Sequence, residues 1–93
     1  MRYVVAYDIS NDKRRKKLAD LLDGYGTRVN YSVYEIELNA TKYKKLLNEI
    51  EEKKLLHKKY DSIRLYHICE NCLPKCSELS NAPDPFAPKE MFL

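Results

Sequence analysis

The first apolar run of the chain has the residue types of a β-strand. Residues 3–7 are β-branched, aromatic or small, which are the side chains that strands favour. Successive side chains point to opposite faces of a strand, which places Tyr3, Val5 and Tyr7 on one face and Val4, Ala6 and Asp8 on the other. We therefore predict a strand that is apolar on both faces and ends at a carboxylate.

The pattern then changes to a helical period. The polar residues 10–12 are all favourable helix N-caps. Four apolar side chains follow with the i, i+3, i+4, i+7 spacing of one helix face, and they are Leu18, Leu21, Leu22 and Tyr25. Gly24 and Gly26 come where a C-cap and a turn are expected. We predict a helix from about Asp12 to Asp23 that packs this face on a sheet.

Residues 27–38 form an extended run whose alternation changes phase. The two sets of alternating apolar side chains are Val29, Tyr31 and Val33, and then Tyr34, Ile36 and Leu38. Such a change requires a bulge or a tight hairpin near residues 30–33, so the run is either two strands or one sharply bent ribbon. Glu35 and Glu37 flank Ile36 and fit a solvated strand face better than a pair of ligands.

A second helix and a last strand complete the pattern. Asn39 or Thr41 is the expected N-cap of a helix from about Lys42 to Lys54. Its apolar stripe is formed by Tyr43, Leu46, Leu47 and Ile50. His57 follows in a Lys-rich segment and is predicted to lie at the surface. The last strand covers residues 63–68, and its one face carries Ile63, Leu65 and His67.

The order of these elements predicts an α+β fold, the ferredoxin-like βαββαβ two-layer sandwich. Both helices are expected on one face of the sheet. The other face carries apolar side chains and has no helix left to cover it, so we predict a homodimer packed through the sheet faces. Residues 1–78 form the predicted domain. The extra C-terminal segment, residues 79–93, is a Pro-rich tail that is extended or disordered, or that lies on a partner subunit.

Composition changes this picture little. The formal net charge is only +3, so an anionic partner is indicated by local clustering rather than by the total. The chain has no run of 18 apolar residues and no signal-peptide pattern. We therefore expect a soluble, cytoplasmic protein that does not bind membranes.

Five consecutive cations, residues 13–17, open the first predicted helix. A helix N-terminus carries a partial positive charge and favours acids in its first turn, so folding alone does not explain this run. An anionic partner would explain it, because backbone N–H groups, the helix dipole and the cations would all face one phosphate. The alternative is a basic helix face that is simply solvated.

Asp8 is the acid that the sequence places beside this cationic run. One carboxylate is a poor Mg²⁺ site, because Mg²⁺ takes six oxygen ligands. A dimer would improve the site if two copies of Asp8 approached across the twofold axis and shared one ion near a phosphodiester. The alternative is that Asp8 only caps the helix or supports the turn. The chain shows no Ser-His-Asp set and no Gly-rich phosphate loop, so nucleophilic catalysis by the protein is not expected.

Three cysteines cluster near the C-terminus. Cys69, Cys72 and Cys76 have C-x2-C-x3-C spacing, and His67 lies two residues upstream. These side chains are zinc ligands in other proteins, but a structural zinc site usually takes two of its ligands from a separate segment. We therefore do not expect zinc at the Cys69/Cys72/Cys76 cluster, and we expect reduced thiols near the end of a strand.

Three stretches together resemble one known family. They are YDISNDKRR at residues 7–15, GTRVNYSVYE at 26–35 and RLYHICENC at 64–72. In order and spacing they resemble the CRISPR-associated endoribonucleases of the Cas2 family, the small partners of the Cas1 integrase. The resemblance covers about residues 1–73.

This resemblance implies a ferredoxin-like fold, a homodimer and a metal-dependent endonuclease. The implied substrates are RNA or double-stranded DNA, and the implied cofactor is Mg²⁺, with Mn²⁺ as an alternative. It also implies a role in CRISPR spacer acquisition for antiviral defence, in which the dimer bridges two Cas1 integrase dimers and holds duplex DNA.

The site residues implied by the resemblance map onto the same stretches. The catalytic, metal-binding aspartate of the family corresponds to Asp8. The implied nucleic-acid-binding cations are Lys13, Arg14, Arg15, Lys17 and Arg28, and the implied supporting residues are Tyr7, Ser10 and Tyr34. Two other functions stay open, and they are a structural DNA-binding adaptor with an idle Asp8 and a regulatory domain without nucleic acid. The basic start of the first helix argues against the regulatory domain.

Overall fold

The computed structural model describes residues 1–87 and contains four strands and two α-helices in that range. The strands are β1 (Arg2–Asp8), β2 (Gly26–Asn30), β3 (Val33–Glu37) and β4 (Ser62–Ile68). The helices are α1 (Asp12–Asp23) and α2 (Ala40–Glu52), and a short 3-10 turn covers Leu73–Lys75. The predicted order of elements is confirmed.

The four strands form one sheet in the order β2-β3-β1-β4, and all neighbours are antiparallel. The first strand of the chain therefore lies inside the sheet, between β3 and β4. This strand order, with two helices packed into one core, is the ferredoxin-like α+β fold that the sequence predicts.

The core lies between the helices and one face of the sheet. Tyr3, Val5 and Tyr7 of β1 are buried there, whereas Asp8 is exposed. The other members of this core are Leu18 and Leu22 of α1, Tyr34 and Ile36 of β3, Leu46 and Ile50 of α2, and Ile9, Leu38 and Leu55 of the connecting segments. The division of β1 into two faces is thus confirmed.

The hairpin between β2 and β3 explains the change of phase. Asn30 pairs with Val33, so the loop contains only Tyr31 and Ser32. The register also shifts between Arg28 and Asn30, which leaves the intervening residue as a bulge. The structure therefore contains both a tight hairpin and a bulge.

The second helix differs from the prediction at both ends. Asn39 is its N-cap, since its side chain accepts a hydrogen bond from the backbone N–H of Lys42 at 2.8 Å, and the helix ends at Glu52. Leu47 was expected in the buried stripe, but it is 38% exposed. The expectation was wrong because one residue turns the helix by about 100°, so a neighbour of the buried Leu46 faces outward.

The C-terminal motif of α2 buries an apolar side chain, Leu55, that was not predicted from the sequence to lie in the core. Lys54 adopts a left-handed backbone with φ of 52°. The N–H of Leu55 then donates to the carbonyl of Ile50 at 3.1 Å, and the N–H of Lys54 donates to Glu51 at 3.1 Å. These are the two hydrogen bonds of a Schellman motif, and they return the fully buried Leu55 to the core.

Within residues 1–87, the opposite face of the sheet carries no helix. Its side chains follow from the strand register, and they are Arg2, Val4 and Ala6 of β1, Val33, Glu35 and Glu37 of β3, and Arg64, Tyr66 and Ile68 of β4. We call these residues the open face. The described end of the tail returns to it, because the backbone N–H of Phe86 donates to Glu35 Oε1 at 2.7 Å.

The remainder of the tail prediction, residues 88–93, lies outside the described residues. Residues 76–87 contain neither helix nor strand. In the part of the chain that the structure describes, no helix has the length and apolarity needed to cross a bilayer.

Candidate functional site

Asp8 is the last residue of β1 and is exposed. It lies opposite Ser62, the first residue of β4. Alternation along β1 places it on the same side of the sheet as Val4 and Ala6. The candidate metal ligand therefore stands at one end of the open face.

The antiparallel topology brings the predicted cations to this same end of the sheet. The carboxyl end of β1 lies beside the starts of β3 and β4. The β2–β3 hairpin, with Arg28 on β2, and the first turn of α1 are therefore neighbours of the Asp8 end. The fold therefore places Asp8 and these basic segments at one end of the sheet. Arg28 lies on the face opposite Asp8, because it pairs with Tyr34, which pairs with Val5.

Asp61 organises this end of the molecule. Its Oδ1 accepts hydrogen bonds from the backbone N–H and the hydroxyl of Ser10, each at 2.8 Å. Its Oδ2 accepts from Arg14 Nε at 3.2 Å, from Arg14 Nη2 at 2.9 Å and from the backbone N–H of His57 at 2.9 Å. The Asp61 side chain has no exposed surface, so these donors replace the water that it would otherwise bind.

The same contacts set the charge of Asp61. The backbone N–H of Ser10 is the strongest influence, and His57 and Arg14 add to it; together they hold the pKa of the Asp61 carboxyl well below its usual range. Asp61 is thus ionised at neutral pH. The exposed His57 agrees with the prediction of a surface histidine, although its backbone N–H is part of this network.

Arg15 is also engaged within its own chain. Its Nη1 donates to the carbonyl of Ile9 at 3.0 Å, and its Nη2 contacts the carboxylate of Asp12. The hydrogen bond with Asp12 raises the pKa of Arg15. Arg14 and Arg15 therefore hold the loop between β1 and α1, rather than extending freely into solvent.

The lysines of the same helix turn are more available. Lys13 and Lys17 are exposed, and neither forms an ion pair with an acid in residues 1–87. Lys16, by contrast, forms an ion pair, with its Nζ 3.3 Å from Asp20 Oδ2. Of the cations predicted on α1 to bind nucleic acid, Lys13 and Lys17 are therefore the two without an ion pair among residues 1–87.

Arg28 stabilises the hairpin from β2. Its Nη2 donates to the carbonyl of Tyr31 at 2.6 Å. Its guanidinium carbon lies 5.8 Å from the ring centroid of Tyr31 and 5.9 Å from that of Tyr34, within cation–π range. Arg28 is exposed, so its outer N–H groups remain accessible.

Tyr34 and Tyr7, the two tyrosines predicted to support the site, are buried in the core on the helix face of the sheet. The Tyr34 hydroxyl donates to Asp23 Oδ1 at 2.6 Å and lies 3.1 Å from the carbonyl of Ala19. Burial, followed by the hydrogen bond with Asp23, raises the pKa of Tyr34. The ring of Tyr7 lies 6.3 Å from that of Tyr34, and its buried hydroxyl has no hydrogen-bond partner among residues 1–87.

Comparison with known proteins decides the family. The family model described as CRISPR associated protein Cas2 matches residues 1–76. The chain belongs to the Cas2 family.

Relatives and solved structures agree with this assignment. The chain is 46% identical over 71 residues to the CRISPR-associated endoribonuclease Cas2 3 of Synechocystis sp., covering 76% of this chain and 75% of the relative. It is similar to the crystal structure of Streptococcus pyogenes Cas2, with a TM-score of 0.72, 27% identity and coverage of 86% of this chain and 100% of that chain. It is also similar to a chain of a partial Cas6-RT-Cas1–Cas2 complex, with a TM-score of 0.68, 26% identity and coverage of 94% and 97%.

Asp8 is the single residue of this Cas2-family chain that is predicted from the sequence to be a Mg²⁺ ligand. Among residues 1–87, no three or more His, Cys, Asp or Glu side chains come together as a metal site. Asp8 offers oxygen ligands, which Mg²⁺ prefers, and Mg²⁺ often binds only one or two carboxylates and keeps several waters. A second copy of Asp8 would complete such a site.

Asp61 is the residue of this region that sequence reasoning missed. The predicted last strand begins at residue 63, and no role was predicted for Asp61. An acid just before a strand usually lies in a solvated loop, and nothing local shows that Ser10 and Arg14 converge on it. The only indication in the sequence was the position of Asp61, an acid directly before β4, the strand that pairs with β1.

Proposed function

We propose that this Cas2-family chain acts in CRISPR spacer acquisition as a cytoplasmic homodimer with metal-dependent endonuclease activity. The proposed substrates are the phosphodiesters of RNA or double-stranded DNA, and the proposed metal is Mg²⁺ or Mn²⁺. The observation that carries the proposal is the position of Asp8. It is exposed at the end of the open face and shares an end of the sheet with the basic start of α1, residues 13–17.

The open face supports the dimer. Val4, Ala6 and Val33 give it an apolar centre that is only half-buried within one chain. A twofold interface brings each patch against its own copy, so residues near the axis meet their counterparts. Because Asp8 lies on this face, packing two open faces together gives the two Asp8 side chains a route to one shared ion.

In such a dimer the residues of this end of the sheet would have three separate roles: metal binding, phosphate binding and positioning of the loop after Asp8. Two Asp8 carboxylates would hold the ion, and a bound Mg²⁺ would supply Lewis-acid stabilisation of charge on the phosphodiester. Lys13, Lys17 and Arg28 would bind the flanking phosphates. Arg14 would position the loop after Asp8 through its contact with Asp61.

A non-catalytic adaptor is the second candidate function. It is favoured by the assignment of only one carboxylate of residues 1–87, Asp8, to the metal, and by the likeness to a chain of a Cas1–Cas2 complex. Phosphate contacts can position a duplex between integrase subunits without reading its sequence or cutting it. In this case Cas1 and duplex DNA are the partners, and Asp8 is idle.

A cleavage assay separates the two functions. End-labelled duplex DNA and single-stranded RNA are incubated with wild type, Asp8→Asn and the control Asp84→Asn, with and without Mg²⁺. Asp84 is an exposed acid of the tail, which makes it a matched control. Cleavage that requires Mg²⁺ and is lost only in Asp8→Asn supports the nuclease. Binding without cleavage by any of the three proteins supports the adaptor.

A further inference from the structure

A tight hydrogen-bonded turn that begins at Cys69 follows β4. The backbone N–H groups of Cys72 and Leu73 donate to the carbonyl of Cys69 at 3.0 and 3.1 Å. A hydrogen-bonded turn of this kind brings its first and fourth Cα atoms to within about 7 Å. Disulfides span Cα separations of about 4.4–6.8 Å, so the backbone brings Cys69 and Cys72 into the range of a disulfide.

Packing does not explain these two cysteines. Cys69 and Cys72 are both free and exposed, although unpaired cysteine is among the most buried residue types in proteins. Cys76 differs, because it is only partly exposed and its Sγ donates to the carbonyl of Cys72 at 3.6 Å. The thiols of Cys69 and Cys72 are therefore accessible to reagents in solution.

The two exposed thiols are not equivalent. The neighbouring thiol of Cys72, followed by its backbone N–H, lowers the pKa of the Cys69 thiol. The same contact with Cys69 raises the pKa of the Cys72 thiol. The attacking species in disulfide exchange is the thiolate, so Cys69 is the better nucleophile of the pair.

We propose that Cys69 and Cys72 form a thiol–disulfide exchange site that reacts with low-molecular-weight disulfides. The Cys69 thiolate attacks one sulfur of the disulfide, whose S–S bond breaks and releases one thiol. Cys72 then gives up its proton and attacks the Cys69 sulfur, which releases the second thiol. Two protein thiols are oxidised to a disulfide and one small disulfide is reduced to two thiols. This site is independent of the proposed action on nucleic acid.

Oxidised glutathione is a suitable probe. Reduced wild type, Cys69→Ser, Cys72→Ser and the control Cys76→Ser are incubated with it at neutral pH, quenched with acid and analysed by intact mass and peptide mapping. Far-UV circular dichroism checks that each variant is folded. Metal content is measured on the same preparations.

Wild type and Cys76→Ser are expected to lose two hydrogens in a Cys69–Cys72 disulfide and to retain no glutathione. Cys72→Ser is expected to trap one glutathione on Cys69. Cys69→Ser is expected to react at least about tenfold more slowly, because the remaining exposed thiol has less thiolate character. A Cys72–Cys76 disulfide in wild type, equal rates in Cys69→Ser and wild type, or stoichiometric zinc that protects all the thiols would overturn the proposal.

Discussion

Ser10 and Asp61 are 51 positions apart in the chain, yet both polar hydrogens of Ser10 are donated to one oxygen of Asp61. The backbone N–H and the hydroxyl each lie 2.8 Å from Asp61 Oδ1. Ser10 follows Asp8 by two residues, and Asp61 directly precedes β4. The contact therefore joins the adjacent ends of two strands and fixes the direction in which the chain leaves Asp8.

Replacing Asp61 by Asn is expected to destabilise the fold and loosen the Asp8 loop. The amide keeps the size of the side chain, but its NH₂ group would face the donors of Arg14 and His57 where Oδ2 now accepts their hydrogen bonds. Urea unfolding at pH 7 should show a lower midpoint for Asp61→Asn than for wild type. The control Asp84→Asn should unfold with wild type, and an unchanged midpoint in Asp61→Asn would contradict the role of Asp61.

Acid should remove the contribution of Asp61. Its pKa is lowered in the folded state, so its stabilisation is complete above the ordinary value of 3.8 and is lost as pH falls from there toward the folded-state pKa. The difference in unfolding free energy between wild type and Asp61→Asn should therefore shrink below about pH 4. A difference that stays constant from pH 7 to pH 3 would show that the charge of Asp61 is not the cause.

Lys13 and Lys17 should contribute to duplex binding, whereas Arg14 should contribute mainly to stability. Lys13→Ala with Lys17→Ala should weaken duplex binding and reduce the slope of log K against log salt by about 1.8 if each lysine contacts one phosphate. Arg14→Ala should mainly lower stability, because its guanidinium is held by an acid of its own chain. Lys44→Ala with Lys58→Ala removes two exposed cations elsewhere and serves as the control. Equal slopes for the two double variants would contradict phosphate binding by Lys13 and Lys17.

Gly26 should not tolerate a side chain, whereas Gly24 should. A Cβ at Gly26 would lie 2.3 Å from the carbonyl oxygen of Glu35 and 2.3 Å from Cγ2 of Ile36 on the neighbouring strand. Gly26→Ala is expected to cost about 1–3 kcal/mol through overpacking. A Cβ at Gly24 meets only Leu21 O at 3.3 Å, and the φ of Gly24 is −76°, so Gly24→Ala should change stability by less than about 1 kcal/mol. Thermal unfolding of both variants tests this contrast.

Lys54→Gly is expected to stabilise the protein. Lys54 has a left-handed backbone at the end of α2, and such a backbone costs an L-residue about 1–2 kcal/mol, part of which glycine recovers. Lys53→Gly is the matched control, because Lys53 has φ of −82° and gains nothing from glycine. A higher unfolding midpoint for Lys53→Gly than for Lys54→Gly would contradict this interpretation of the helix end.

Sequence patterns were sufficient for the order of the elements and for the buried faces of β1 and α1. The alternation of Tyr3, Val5 and Tyr7 and the stripe of Leu18 and Leu22 each reflect one period and one burial surface, so they predicted the buried faces of β1 and α1. The phase change near residues 30–33 located the hairpin, although it could not distinguish a hairpin from a bulge that occurs beside it.

Contacts between distant segments and the backbone conformation of single residues could not be predicted from these patterns. Gly26 was expected in a turn, but it lies in β2, where the constraint comes from the opposite strand. Leu55 is buried because a Schellman motif formed by lysines returns it to the core, and no glycine marks the turn. The hydrogen bonds of Asp61 connect segments about 50 residues apart, and residue spacing carries no information on such contacts.

The stoichiometry of metal binding tests the shared-ion site most directly. Mn²⁺ is titrated into wild type, Asp8→Asn and Asp84→Asn at concentrations where light scattering shows the oligomeric state, and free Mn²⁺ is followed by electron paramagnetic resonance. The shared site predicts a dimer that binds one Mn²⁺ per two chains, with binding lost in Asp8→Asn and retained in Asp84→Asn. A monomer, one Mn²⁺ per chain, or equal binding by Asp8→Asn and wild type would contradict it.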